Sequence, residues 1–152
     1  MNAAEDAVED VAAVLGPDMY RFAPEGDHFL GEAVMVAFAG SLLGAFWRGF
    51  SAGLHGTVEQ WGTEAAQWLT DRLRKAVTGS AGRDRDEAAQ DAAAQAAEAA
   101  PDDGGGDRDT ALDLAQRVLA DALTTSGLPE DSASRYSQAV RAAAETMLNP
   151  EG

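Results

Sequence analysis

The chain has 152 residues, a formal charge of −15 and no cysteine. That much acid argues against a nucleic-acid binder and against docking on an anionic membrane by charge alone. Without cysteine there are no disulfides, thiolate metal sites or cysteine nucleophile, and the length fits one or two small domains rather than a large enzyme fold.

The acid is unevenly spread. Residues 33–78 carry only Glu59, Glu64 and Asp71, against Arg48, Arg72, Arg74 and Lys75. This nearly neutral, apolar segment is the expected physical centre of an otherwise acidic molecule. The start, Met1-Asn2-Ala3-Ala4-Glu5-Asp6, has neither the basic residues nor the apolar core of a secretory signal. The chain is therefore expected in the cytoplasm, with inner-membrane association as the alternative.

A first helix is predicted over 3–15, where Ala4, Val8, Val11 and Leu15 form an apolar stripe. Asn2 with Glu5 fits its N-terminal capping box, and Gly16-Pro17 its stop. Residues 17–27 read as an ordered loop anchored by Met19, Tyr20 and Phe22. Asp27 is a suitable N-cap for a second helix, which runs from Phe29 to about Leu54 and is apolar on nearly all sides. Such a helix is either the buried centre of a bundle or a membrane segment.

That helix also carries a ridge of small residues. Ala33, Ala37, Ser41, Ala45, Gly49 and Gly53 lie four apart, and Gly40 with Gly44 adds a second small pair. Small residues let helix backbones approach closely. Two readings follow: the chain's own helices pack there, or the ridge mediates self-association. On the second, Gly44→Leu is expected to disrupt the assembly or the fold.

Gly53, Gly56 and Thr57 mark a bend, and Thr57 with Gln60 fits a capping box. The third helix then runs to about Val77, with Val58, Trp61, Ala65, Trp68, Leu69, Leu73 and Ala76 on one face. Trp47, Leu54, Trp61 and Trp68 are spaced by sevens. Packing against the first helix explains this stripe, as does a membrane-interface or partner-binding face.

Residues 79–107 read as a flexible acidic linker rich in alanine and glycine. Its run 88–100 has high helix propensity but nothing large to bury, so it reads as a solvated helix or a fluctuating coil, and Pro101 to Gly106 breaks it. Residues 108–149 read as a helical hairpin. Leu112, Ala115, Leu119, Ala122 and Leu123 line one arm, Gly127-Leu128-Pro129 make the turn, and Asp131 or Ser132 caps the other. Ala133, Tyr136, Val140, Ala143 and Met147 line that second arm. So little apolar surface needs a partner, either the N-terminal part or another chain. No stretch reads as a strand.

Three patterns resemble chemistry. Gly49-Phe50-Ser51-Ala52-Gly53 matches the G-x-S-x-G elbow of hydrolases, followed by His55 and Glu59. The elbow works as a strained strand-to-helix turn, and no strand precedes it here. His28 with Glu32, and His55 with Glu59, are i, i+4 pairs that could each supply two metal ligands. They equally fit ordinary helix-surface ion pairs. No phosphate-binding glycine loop is present. Finally, Trp47-Arg48-Gly49 is similar to the W-x-G turn of the small WXG-type helical hairpins exported by specialised secretion systems. That resemblance rests on three residues and on composition. It implies a hairpin bent at Gly49, dimerisation and export. The sequence departs from it in the apolar character of 33–47 and in lacking a Y-x-x-x-D/E tail: Tyr136 is followed four residues on by Val140, and Tyr20 by Pro24.

A spanning helix needs about 20 apolar residues for a core roughly 30 Å thick. The uncharged run 33–47 covers only about 22 Å. A buried core helix fits this length, as does a short inserted segment aided by thinning or snorkelling.

The sequence thus predicts an all-α protein: a helical bundle over 1–78 around a central apolar helix, an acidic linker over 79–107, and a helical hairpin over 108–149. The expected function is that of a non-enzymatic adaptor or assembly protein. It would act through Gly40, Gly44, Gly49 and Gly53, with Trp47, Trp61 and Trp68 beside them. The expected partner is a protein or a second copy, with no nucleic acid, cofactor, metal or small-molecule substrate implied. The alternatives are a membrane-inserting effector that oligomerises through 29–54, and the WXG-like secreted hairpin.

Overall fold

The computed structural model describes residues 3–15, 32–80, 84–99 and 108–148. Asn2, the 17–27 loop, Asp27 and the break after Pro101 lie outside them. Among the described residues the chain is all-α, with six helices: α1 (Ala3–Val14), α2 (Glu32–His55), α3 (Val58–Ser80), α4 (Arg85–Ala99), α5 (Arg108–Thr125) and α6 (Glu130–Leu148).

The bundle is built around α2, which touches all five other helices. Its apolar residues point in most directions because neighbouring helices cover most of its surface. Val36, Phe38, Leu42, Leu43, Phe46, Trp47 and Phe50 are all buried. Around it, α1 packs on α4 and α6, and α5 packs on α3 and α6. The C-terminal hairpin thus finds its partner in the N-terminal helices. No helix among the described residues is long and apolar enough to cross a membrane.

Helix ends follow local chemistry. Gly56 adopts φ 76° just past α2, and the Thr57 N–H donates to the Ala52 carbonyl at 2.8 Å. This is a glycine-terminated C-cap in which the left-handed residue lets a later N–H reach back to an orphaned carbonyl. The Trp61 N–H then donates to the Thr57 carbonyl at 3.2 Å, so Thr57 also opens α3. The same device ends α5. Gly127 has φ 108°, Leu128 donates to Leu123 at 3.1 Å and Gly127 to Thr124 at 3.0 Å. Leu128 and Leu123 are both buried, completing the cap with an apolar contact.

Four expectations are revised. First, α2 runs unbroken through Trp47-Arg48-Gly49, so the bend implied by the WXG resemblance is absent at Gly49 and falls at Gly56. Second, α3 packs on α2 and α5 rather than on α1. Third, α6 begins earlier than Asp131 or Ser132: the Pro129 carbonyl already accepts from the Ala133 N–H at 2.9 Å. Fourth, residues 85–99, read as part of a linker, form a packed helix. Ala88, Ala89, Ala92 and Ala93 are buried, and α4 makes its main contact with α2.

The glycines of α2 explain how an alanine face suffices. A Cβ at Gly40 would lie 2.6 Å from the Ala92 Cβ and 3.0 Å from its Cα. Cβ atoms at Gly49 and Gly53 would each lie 3.3 Å from a Cα of α5, at Ala115 and Ala111. The small-residue ridge is therefore occupied by this chain's own helices: α4 at Gly40, α5 at Gly49 and Gly53. Each alanine methyl buries only about 0.8 kcal/mol of apolar surface, so the backbones must come close for the contact to be effective.

Side chains reinforce the hairpin. Arg141 of α6 donates to Asp113 and, at 2.9 Å, to Gln116 of α5, and at 3.0 Å to Glu145 of its own helix. Its hydrogen bonds to Glu145 and Asp113 hold its pKa above the ordinary guanidinium value. Thr70 of α3 and Ser126 of the α5–α6 turn share a hydrogen bond of 3.0 Å.

Glycine substitutions test this arrangement. Gly40→Ala should cost about 1–3 kcal/mol through overpacking against α4. Gly62→Ala, with nothing within 4 Å of the added Cβ, should stabilise by up to about 1 kcal/mol through helix propensity. Thermal unfolding followed by circular dichroism reads both. A Gly40→Ala midpoint at or above wild type would refute the close contact between α2 and α4.

Candidate functional site

A cleft of about 700 Å³ opens between α3 and α4, above α2. Gly40, Ser41, Gly44, Arg48 and Ser51 of α2 line its floor. Gly40, Gly44, Arg48 and Ser51 lie three or four apart, with Ser41 beside Gly40, so they follow one face of the helix. From α3 come Trp61, Glu64, Trp68 and Arg72, also at helical spacing, with Gln60 at the near end. From α4 come Gln95 and Glu98.

Two arginines stand over the tryptophans. The Arg48 guanidinium lies 4.8 Å from the Trp61 ring centre and 5.3 Å from that of Trp68, and Arg72 lies 5.2 Å from Trp68. All are within cation–π range, each contact worth about 0.5–1 kcal/mol at an exposed site. Trp61 and Trp68 meet edge to face, with ring centres 5.5 Å apart. Trp61 is buried, Trp68 half-buried, and both guanidinium-bearing residues are exposed. Neither Arg48 nor Arg72 makes an ion pair or hydrogen bond with a described residue.

Trp47 forms the deep wall. It is fully buried, edge to face with Phe46 at 5.7 Å and with Phe50 at 5.6 Å. Its indole Nε1–H is buried without an acceptor among the described residues. An unpaired buried donor costs about 1–3 kcal/mol.

Of the seven residues singled out from the sequence, the cleft gathers five: Gly40, Gly44, Trp47, Trp61 and Trp68. Gly49 and Gly53 face α5 instead. Gly44 differs from its neighbours on the ridge. A Cβ there would meet only the Trp68 ring, at an ordinary 3.5 Å. Its small size leaves the cleft open rather than admitting another helix. Sequence reasoning missed the role of Arg48 and Arg72 and the contributions of Gln95 and Glu98. Of the α3 wall, Trp61 and Trp68 were legible from the stripe along that helix. Nothing in the alanine-rich run marked Gln95 or Glu98.

The hydrolase-like pattern is displaced from the geometry it needs. Ser51 sits within the continuous α2 helix, and no non-glycine residue among those described has positive φ. His28 and the side chain of His55 lie outside the described residues. Among the described residues no three His, Cys, Asp or Glu side chains gather where they could hold a metal ion. The chain matches no family model, no curated protein and no solved structure.

All three tryptophans of the chain line this cleft, and Trp61 and Trp68 form its wall, so intrinsic emission responds to changes there. Gly44→Leu should keep the helical circular dichroism of the wild type while reducing acrylamide quenching of tryptophan emission, because the new side chain covers Trp68. Loss of helical signal would instead place Gly44 in a packed interface.

Proposed function

We propose that this protein is a non-enzymatic adaptor or assembly protein that receives a segment of a protein partner in the cleft between α2, α3 and α4. The observation that carries this reading is the cleft wall itself. Two exposed guanidiniums are held on tryptophan faces in about 700 Å³ of space that no described side chain fills. Aromatic and arginine side chains beside a recess are what protein interfaces use as anchors. The net charge of −15 supports a protein rather than a polyanionic partner.

This reading moves the contact surface away from the small-residue ridge. With Gly40 against Ala92, and Gly49 and Gly53 against α5, self-association through those glycines would require α4 and α5 to leave. The cleft is the part of the α2 face that remains open. The α3 wall and the Gly44 floor then act as recognition surface, and no catalytic step is involved.

The test is site-specific photocrosslinking in the native host. A benzophenone amino acid replaces Gln60, an exposed residue at the cleft, or Gln138, an exposed residue on α6 away from it. One dominant adduct of defined mass is expected from position 60 and none from 138. Gly44→Leu should abolish it. No adduct at position 60, or equal adducts from both positions, would overturn the reading.

A further inference from the structure

We infer that the partner segment presents a carboxylate side chain, next to an apolar residue, to Arg48 and Arg72. This rests on the adaptor reading above and names the chemistry that the cleft selects.

Some of the chain's 11 bases are paired directly with acids. Lys75 pairs with Asp71 at 3.4 Å, and Arg141 with Asp113 and Glu145. Arg48 and Arg72 are placed differently. Tryptophan faces hold them, and no described carboxylate comes within ion-pair distance. Stacking fixes the plane of a guanidinium and leaves its N–H edges unused. Such an edge matches the two oxygens of a carboxylate, giving a pair of parallel charge-assisted hydrogen bonds.

The charge of the walls limits the anion. Glu64 and Glu98 line the same cleft, so its four charged side chains sum to zero. One carboxylate can be balanced there by two arginines. A dianionic phosphate or a polyanion would meet those two carboxylates and the field of the whole chain.

The neighbouring surface supplies the apolar half. The half-buried ring of Trp68 stands over Gly44, where nothing else lies within 4 Å of an added Cβ. That space suits an apolar side chain adjacent to the carboxylate. The floor from Gly40 to Ser51 extends about 16 Å at 1.5 Å per residue, and the cleft opens to solvent. A peptide segment can lie along such a groove, whereas a small molecule is held by being mostly enclosed.

The test uses the purified full chain and its tryptophan emission. The probe is the blocked peptide acetyl-Gly-Phe-Glu-Phe-Gly-amide, compared with its Gln analogue and with sodium benzoate. The Glu peptide should give a saturable change and bind about tenfold or more tighter than the Gln analogue, the size of one charge-assisted contact. Arg48→Gln should erase that difference, and Arg48→Lys should recover only part of it because lysine lacks the planar fork. Glu64→Gln, which removes a like charge from the cleft wall, should strengthen binding of the Glu peptide. Helical circular dichroism of each variant controls for folding, and both residues are exposed. Equal binding of the Glu and Gln peptides, or no saturable change with either, overturns the carboxylate assignment. Benzoate binding as tightly as the peptide overturns a protein segment as its source. A persistent position-60 adduct alongside either result leaves the adaptor reading standing, whereas loss of that adduct removes the adaptor reading itself.

Discussion

The structure depends on close approach between the glycines of α2 and the alanines of α4 and α5. Among the described residues the buried apolar groups of α4 are Ala88, Ala89, Ala92 and Ala93, with Ala92 against Gly40 of α2, and α5 meets Gly49 and Gly53 with Ala115 and Ala111. Methyl groups generate little burial and little dispersion unless the backbones nearly touch. Gly40, Gly49 and Gly53 make that possible. Once α4 and α5 are seated there, the large side chains of α2 can fill the remaining directions. Phe38, Leu42, Leu43, Phe46 and Trp47 become a core with helices on every side.

The cleft follows from two unequal contacts along one helix. On one side, α4 is drawn to α2 at alanine thickness. On the other, α3 stands on α2 through the bulk of Trp61 and Trp68. Gly44 lies between the two contacts with only the Trp68 ring near it, so a recess remains. Arg48 projects from the recess floor onto both tryptophans, and Arg72 covers Trp68 from α3. A glycine that packs a helix and a glycine that keeps a space open are thus one turn apart on the same surface.

This division alters how the acidic composition bears on function. Most of the charge lies outside the central segment, where it sets a field that repels polyanions. The exposed arginines of the cleft are held by aromatic faces, and no described carboxylate pairs with them.

Much of the secondary structure was written locally. The apolar stripes of α1, α3, α5 and α6, the all-round apolar character of α2, and the glycine stops at Gly56 and Gly127 are short-range signals, and the helices form where those signals lie. The sequence by itself determined an all-α chain with α2 at its centre, because periodicity and glycine conformational freedom act within a few residues. It also marked the small residues of α2 as a close-approach surface. Only the tertiary structure decided what meets that surface. Alanine repeats carry no periodic contrast, so nothing local distinguishes a solvated run from a helix that packs; the complement to Ala92 is Gly40, 52 residues earlier. The pairing of Arg48 with Trp61 and Trp68, and the separate fates of Gly44 and Gly49, were likewise decided by how three helices sit together, since each depends on distances that no spacing along one chain segment encodes.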